Sequence, residues 1–163
     1  EFGVSHDPTG LSVERNVLRY RPTPVVVRAE AGASLAELLR VVSAGLLAGS
    51  HMIISSGIEL SAGILEELNL PELSVLDQTD AEWLEFAANW AGHDVIGGRG
   101  RYIGTAPKNT SDAVGGSPDI AIWSHPVTQA GRVELIPFLR EQAVSITAHR
   151  FGTPFKDFIN AEI

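Results

Sequence analysis

One stretch near the start of the chain has the hydrophobic period of a helix. Its apolar positions are Leu35, Leu38, Leu39, Val42 and Leu46. Spacing of three or four residues places them on one face, so the pattern predicts an amphipathic helix with this stripe buried. Ser34 and Glu37 have the spacing of a capping box at its start, and Gly49 is suited to its end.

Short apolar runs alternate with such helices along the chain. A second helix is predicted over 62–69, and a third begins at a capping box of Thr79 and Glu82 and ends at Gly92. The inward residues of the third helix are Trp83, Phe86, Ala87 and Trp90. Strands are predicted at 25–28, 51–55, 75–76, 94–96, 120–123 and 143–147. Because parallel neighbours need crossover helices, this order predicts an α/β, three-layer, Rossmann-like sandwich with a mostly parallel sheet.

The second half of the chain has weaker patterns. Residues 97–101 (GGRGR) indicate a glycine-rich turn, and residues 105–118 indicate a long loop, since Pro107 and Asn109 disfavour an early helix. A short helix is expected from Glu134, with Leu135, Phe138 and Leu139 on one face and Pro137 in the first turn.

The strand-to-helix turns lack the features of a phosphate site. Phosphate binding needs glycines there, so that backbone N–H groups can reach the ligand. The turn after the 75–76 strand has no glycine, and its carboxylates, Asp77, Asp80 and Glu82, would repel a diphosphate. The earlier turn has a single glycine, Gly32, beside Glu30. We therefore expect no nucleotide-binding residues.

Other candidate sites are weaker still. Arg99 and Arg101, set among glycines, could bind an anion, but the favoured interpretation is a surface turn with solvated arginines. The five histidines are scattered and have no metal-ligand spacing, so no metal ligand is expected. No serine lies in a nucleophile elbow, and no catalytic residue is predicted.

Composition restricts the classes of function. The 163 residues suit one domain, and a first residue of Glu rather than Met suggests an excised fragment. A net charge of −8 argues against nucleic acid and anionic membranes as partners. The longest nearly apolar run, 41–49, is too short to span a bilayer. The absence of cysteine excludes thiolate metal sites and fits a cytoplasmic origin.

Three stretches resemble one known family. They are residues 138–154 (FLREQAVSITAHRFGTP), residues 5–28 (SHDPTGLSVERNVLRYRPTPVVVR) and residues 79–83 (TDAEW). They resemble the C-terminal domain and C-terminal motif of proline utilization A, the bacterial fusion of proline dehydrogenase with L-glutamate γ-semialdehyde dehydrogenase. The two ends carry the resemblance, and the middle of the chain matches only in character.

The resemblance implies a fold like an aldehyde dehydrogenase nucleotide-binding domain that has lost its ligand site. In that family the parent enzyme uses NAD and FAD, and the C-terminal domain is thought to cover the tunnel between the two active sites. Its partner would be the parent's aldehyde dehydrogenase domain. Aldehyde dehydrogenases attack with a cysteine thiolate, so this cysteine-free chain is expected to be a non-catalytic accessory domain.

These considerations predict a domain organisation and an interface. Residues 1–24 would be a linker from the preceding dehydrogenase domain, 25–149 the α/β domain and 150–163 a C-terminal tail. The expected domain-interface residues are Arg140, Ser145, Thr147, His149, Arg150, Phe151, Phe155 and Phe158. The phenylalanines could instead complete the domain's own core. Two other hypotheses stay open: a module that binds NAD or an amino acid through Arg99 and Arg101, and an unrecognised enzyme.

Overall fold

The computed structural model describes residues 2–11, 13–90, 98–147, 149–150 and 153–154. The chain divides into two compact units. The larger is Pro22–Leu139, and the smaller consists of the described parts of Glu1–Arg21 and Arg140–Ile163. The expected organisation placed the boundaries at 24 and 149, so the last predicted strand, 143–147, falls in the smaller unit rather than in the α/β domain.

The elements alternate as the pattern predicted over most of the chain. The strands are β1 (Glu14–Pro22), β2 (Val25–Ala29), β3 (Met52–Ser56), β4 (Leu73–Asp77), β5 (Arg99–Ile103), β6 (Ala121–Trp123), β7 (Leu139–Thr147), β8 (His149–Arg150) and β9 (Thr153–Pro154). The α-helices are α1 (Leu35–Ala48), α2 (Ala62–Glu67), α3 (Asp80–Trp90), α4 (Pro107–Ala113) and α5 (Gly131–Leu135), and a 3₁₀ turn covers Ile136–Phe138.

Five strands of the larger unit form a parallel sheet in the order β4-β3-β2-β5-β6. The central strand, β2, is buried along its whole length. Its odd-numbered residues, such as Val25 and Val27, pack with α1, whereas Val26 packs with Trp83 and Trp90 of α3. Helices therefore cover both faces of the sheet, and the predicted α/β sandwich with a mostly parallel sheet is confirmed.

Helix α1 begins and ends as predicted, but its buried face is displaced. Ser34 accepts from the Glu37 N–H, and the Ser34 N–H donates to the Glu37 carboxylate at 3.0 Å. Gly49 ends the helix in the left-handed conformation, at φ +74°. Buried positions include Val41 and Gly45, which the predicted stripe left out, whereas Leu35 is 36% exposed.

The reason for the displacement lies in the neighbours of Gly45. A Cβ atom there would overlap the side chains of Met52 and Phe138. Because the helix must lie close to β3 at this glycine, its buried face is centred on Gly45 rather than on the leucines. A hydrophobic pattern cannot reveal this, since glycine contributes no apolar side chain.

The glycine-rich stretch predicted as a turn is a strand. Arg99–Ile103 forms β5, between β2 and β6. A Cβ on Gly100 would lie 2.8 Å from the Trp90 ring, and one on Gly98 would overlap the Asp119 carbonyl. These glycines therefore permit close packing against the strand, a role that sequence alone does not distinguish from turn formation.

The loop predicted over 105–118 contains a helix. Helix α4 begins at Pro107, which is tolerated at the first helical position because the N–H there needs no partner within the helix. Thr110 of α4 is buried and accepts from the Trp83 indole N–H at 2.8 Å. This contact joins α4 to α3 on one face of the sheet.

The region around Phe138 also differs from its prediction. Helix α5 begins at Gly131, passes into the 3₁₀ turn and gives way to β7 at Leu139. The expected single helix with Leu135, Phe138 and Leu139 on one face is therefore wrong. Phe138 is fully buried in the same cluster as α1, so tertiary packing decides the backbone here. The predicted 94–96 strand lies outside the described residues.

The smaller unit contains two strand pairs. Strand β1 pairs with β7, and side-chain bonds join Arg19 to Gln142 (2.7 Å) and Ser145 to Glu14 (2.8 Å). Their opposite order along the two strands is that of an antiparallel pair. Strands β8 and β9 form a short antiparallel hairpin. The expected linker thus contains a strand, and residues 143–147 pair with it rather than with the parallel sheet.

No helix among the described residues is long and apolar enough to cross a membrane.

Candidate functional site

The topology of the parallel sheet defines one place where such folds bind ligands. From β2 the chain adds β3 and β4 on one side, then crosses over to add β5 and β6 on the other. The carboxyl ends of β2 and β5 therefore diverge, and the crevice between them is the topological switch point. We call it the switch-point crevice, bounded by residues 29–31 and 103–106.

The side chain of Glu30 fills the switch-point crevice. Its carboxylate accepts from the Tyr102 hydroxyl, from the Thr105 N–H at 2.5 Å and from the Ala106 N–H at 3.2 Å. The Thr105 hydroxyl donates to it at 3.3 Å. Backbone N–H groups beside the carboxyl end of a strand are those that bind a ligand's phosphate in dinucleotide-binding proteins. Here a carboxylate of the chain itself binds them.

The absence of a side chain at Gly104 leaves space for the Glu30 carboxylate. A Cβ atom at this position would overlap the Glu30 carboxylate. The glycine that a nucleotide site would need for phosphate access therefore makes room for the chain's own acid. The sequence indicates Glu30 only as the neighbour of Gly32 and does not reveal its partners, because residues 30 and 105 meet only through the sheet order.

The pKa values around Glu30 follow from the same contacts. Burial raises the pKa of Glu30, but the bonds from Tyr102, Thr105 and Ala106 together outweigh burial and hold its pKa below the usual value. Burial, followed by the bond to Glu30, raises the pKa of the Tyr102 hydroxyl. At neutral pH the contact thus joins a carboxylate to protonated donors.

A second turn, between β4 and α3, contains the three acids that were expected to repel a diphosphate. The structure gives them different surroundings. Asp80 pairs with the buried Arg28 at 2.5 Å, and Glu82 forms the predicted capping box with Thr79. Asp77 is exposed at the end of its strand. Arg28 therefore partly offsets the negative charge at this turn. Its contribution is not visible in the sequence of the turn, because Arg28 lies on β2.

Arg28 is a buried residue of this site that the sequence patterns did not indicate. Its guanidinium donates to the Ser55 hydroxyl and to the Gln78 carbonyl, both at 2.9 Å, and lies over the Trp83 ring. The side chain is 1% exposed. An arginine within the apolar run VVVRAE was the available signal, because a buried strand seldom contains a cation unless the cation is paired.

Arg101 is buried, and the expectation of a solvated arginine is wrong for it. Its Nε donates to the Glu134 carboxylate at 2.6 Å, and its Nη1 donates to the carbonyls of Tyr102 (2.8 Å) and His125 (2.9 Å). Glu134 is also buried and accepts from the Thr128 N–H at 3.0 Å. Through Glu134, the Thr128 backbone in the loop before α5 is therefore connected to Arg101 of the sheet.

Arg99 points to a different set of groups. It donates to the carbonyls of Pro137 (3.2 Å) and Leu139 (2.7 Å) and lies over the Trp123 ring. Both arginines thus bind groups of this chain. The hypothesis that Arg99 and Arg101 form an anion site stays a prediction.

The residues expected at a domain interface lie in the smaller unit or outside the described part. Arg140, Ser145 and Thr147 are exposed on β7. His149 and Arg150 form β8. Phe151, Phe155 and Phe158 lie outside the described residues, and the interface stays a prediction.

The described residues include no group of three or more potential metal-binding side chains. Among the described residues, His125 lies 4.0 Å from Glu134, and that acid already binds Arg101.

Comparison with known proteins relates the chain to two dehydrogenases. No family model and no curated protein matches it. It is similar to part of proline utilization A (PutA) from Corynebacterium freiburgense, at 31% identity and a TM-score of 0.55, over 93% of this chain and 12% of that chain. It also resembles an NAD-dependent benzaldehyde dehydrogenase from Corynebacterium glutamicum, at 17% identity and a TM-score of 0.56, over 75% of this chain and 29% of that chain.

The second likeness shows the fold alone, and the first extends over nearly all of this chain. The chain is therefore similar to one part of PutA, and its α/β fold is similar to that of an NAD-dependent aldehyde dehydrogenase. It spans about an eighth of the length of the PutA that it matches.

Proposed function

We propose that this chain is a non-catalytic accessory domain of a bifunctional proline-catabolic enzyme. The parent would be an oxidoreductase that converts proline to glutamate through pyrroline-5-carboxylate. The domain would brace the aldehyde dehydrogenase domain and cover the tunnel through which the intermediate passes. Its location would be cytoplasmic.

The filled switch-point crevice is the observation that supports this proposal most strongly. A ligand that used the N–H groups of Thr105 and Ala106 would have to displace the Glu30 carboxylate, which accepts from both. A diphosphate would also meet repulsion from that negative charge. A nucleotide-binding fold with its own carboxylate in the anion position is suited to a structural role.

Two further observations support it. The likeness to PutA covers 93% of this chain, so the proposal applies to nearly all of the residues compared. The sequence also contains no cysteine, the nucleophile that oxidation of an aldehyde by this superfamily requires.

The covering surface that we propose includes the exposed side of β7, with Arg140, Ser145 and Thr147, and continues toward the C-terminus. A two-stranded sheet such as β1 with β7 is marginally stable by itself in water. We therefore infer that a neighbouring domain contributes to its stability in the parent protein.

The test is to truncate the parent protein after Leu139, which removes the proposed covering residues from Arg140 onward, and to follow NADH formation from proline. If the domain covers the tunnel, intermediate escapes to solvent and NADH appears only after a lag. Leu47→Ser, at a leucine that is 79% exposed on α1, is a control that should leave the time course unchanged. Unaltered channelling in the truncated protein would contradict the covering role.

The alternative, a module that binds NAD or an amino acid, is tested on the isolated chain. Thermal melts with increasing NAD or glutamate should leave the melting temperature unchanged, because Glu30 occupies the anion position. A rise that depends on ligand concentration would mean binding to the folded state and would favour the alternative.

A further inference from the structure

The parallel sheet has an open edge at β4. This strand is last in the order β4-β3-β2-β5-β6, and no other strand of the described chain pairs with its outer side. An open edge presents unpaired backbone N–H and C=O groups, which another extended segment can bind.

The hydrogen bonds to β3 show which groups face outward. The Met52 N–H donates to the Glu72 carbonyl, and the Gln78 N–H donates to the Ser56 carbonyl. In a parallel pair alternate residues face the neighbour, so even-numbered residues of β4 bond inward. The backbone groups of Val75 and the N–H of Asp77 consequently point to the open edge.

A groove runs beside this edge. Its volume is about 640 Å³, and it lies between residues 75–78 and the side of α3 that carries Glu82, Glu85 and Phe86. Gln78 also lines the groove. The groove therefore offers an apolar wall and a backbone edge.

The charge of the groove selects its occupant. Among the described residues, its lining includes the carboxylates of Asp77, Glu82 and Glu85 and no lysine, arginine or histidine. A second copy of this chain, with net charge −8, would be repelled. An extended segment with alternating cationic and apolar side chains would place its cations near the acids and its apolar groups near Phe86.

We propose that the edge of β4 and the acidic wall of α3 bind an extended cationic segment of another protein or domain by strand addition. Backbone bonds to Val75 and Asp77 supply affinity, and the carboxylates select lysine or arginine. The site shares no residue with the switch-point crevice or with the surface proposed to cover the tunnel.

The test uses a fluorescein-labelled heptapeptide of alternating lysine and valine, added to the full 163-residue chain at low ionic strength. Fluorescence anisotropy should show saturable binding, and amide NMR shifts should move at Val75 and Asp77. The same peptide with alternate backbone nitrogens methylated keeps its charge but cannot extend the sheet. It should bind at least about tenfold more weakly, since main-chain bonds supply affinity in strand addition.

Two matched variants separate this groove from general attraction to an acidic protein. Asp77→Lys with Glu85→Lys should abolish binding, whereas Glu66→Lys with Glu67→Lys makes the same charge change on the exposed end of α2 and should retain it. Glu82 is left unchanged because it caps α3.

Val75→Pro removes an N–H that the sheet does not use, so the variant should fold but bind weakly. If it fails to fold, the lysine variants still decide the question. Equal binding of the methylated peptide, equal loss in both lysine variants, or no saturable binding would each overturn the proposal.

Discussion

Two buried arginines on neighbouring strands have ion-pair partners in opposite surroundings. Arg101 of β5 pairs with Glu134, whose side chain is 2% exposed, whereas Arg28 of β2 pairs with Asp80, whose side chain is 66% exposed. Both cations have lost their water. Only the first pair also holds its anion in the interior, where neither charge is screened.

The two ion pairs therefore have different roles. Loss of Glu134 would leave a buried cation without a counter-charge, and the loop before α5 would lose its attachment. Loss of Asp80 would leave Arg28 its bonds to Ser55 and Gln78, with water available on the far side. The buried pair therefore fastens the fold, and the half-exposed pair mainly adjusts the charge at the start of α3.

The comparison predicts its largest effect for Glu134→Gln. The neutral amide cannot balance the charge of Arg101. Its one oxygen replaces only one of the two carboxylate oxygens, so its NH2 group would face the N–H of either Arg101 or Thr128. We expect the free energy of unfolding to fall by about 3–5 kcal/mol, as when one partner of a buried pair is removed. Urea unfolding would measure it. The double variant Arg101→Met with Glu134→Leu should recover much of the loss, and a loss below about 1 kcal/mol for Glu134→Gln would break the comparison.

An intermediate effect is expected for Glu30→Ala, which removes a carboxylate held by neutral donors rather than by a cation. The N–H groups of Thr105 and Ala106 and the Tyr102 hydroxyl would lose their acceptor. Because Glu30 is only partly buried, we expect a loss of about 1–3 kcal/mol. Glu59→Ala, at an exposed glutamate, is the control for thermal unfolding and should change stability little. An unchanged melting temperature for Glu30→Ala would show that the contact contributes nothing.

The pH dependence sharpens this result. The hydrogen bonds hold the folded-state pKa of Glu30 below its usual 4.5, so the folded state favours the charged form. Its contribution is present above pH 4.5 and is lost as the pH falls through the lowered folded-state pKa. The stability difference between the wild type and Glu30→Gln should therefore shrink on acidification below pH 4.5. A difference that grows on acidification would contradict the assigned sign.

The smallest effect is predicted for Asp80→Asn, the counterpart of Glu134→Gln. The asparagine oxygen can still accept from Arg28, and the lost charge faces water. We expect a loss of about 1 kcal/mol or less, and added salt should reduce it further. Urea unfolding at low and high salt checks this, and a loss as large as that of Glu134→Gln would remove the distinction between the two pairs.

Local signals made the first half of the chain predictable. The capping boxes at Ser34 and Thr79 involve residues three positions apart, and the strands 25–28 and 51–55 each contain a continuous apolar run. Both kinds of signal act within a few residues, so they can be read without knowing the fold.

The errors share one cause, which is close packing between distant residues. Gly100 has no side chain because Trp90 lies against it, and Gly45 has none because Met52 and Phe138 do. In both cases the side chains that require a glycine are at least seven residues away. A sequence pattern cannot distinguish such glycines from glycines that form turns.

The candidate site was predictable only in part. The acids of the turn after β4 were found, but Arg28, which pairs with one of them, was not. Glu30 was noted without its partners. The missed contacts between side chains and their acids or donors span long distances in sequence: Arg28 and Asp80 are 52 positions apart, and Glu30 is 72 from Tyr102 and 75 from Thr105.

Hydrophobic period, caps and short apolar runs determined from sequence alone that this chain alternates strands and helices and forms a parallel sheet. The tertiary structure alone decided which polar groups meet: Glu30 with the start of α4, Arg28 with Asp80, and Arg101 with Glu134. The physical reason is range. Backbone conformation follows from neighbours a few residues away, whereas the pairing of buried charges depends on the order of strands in the sheet.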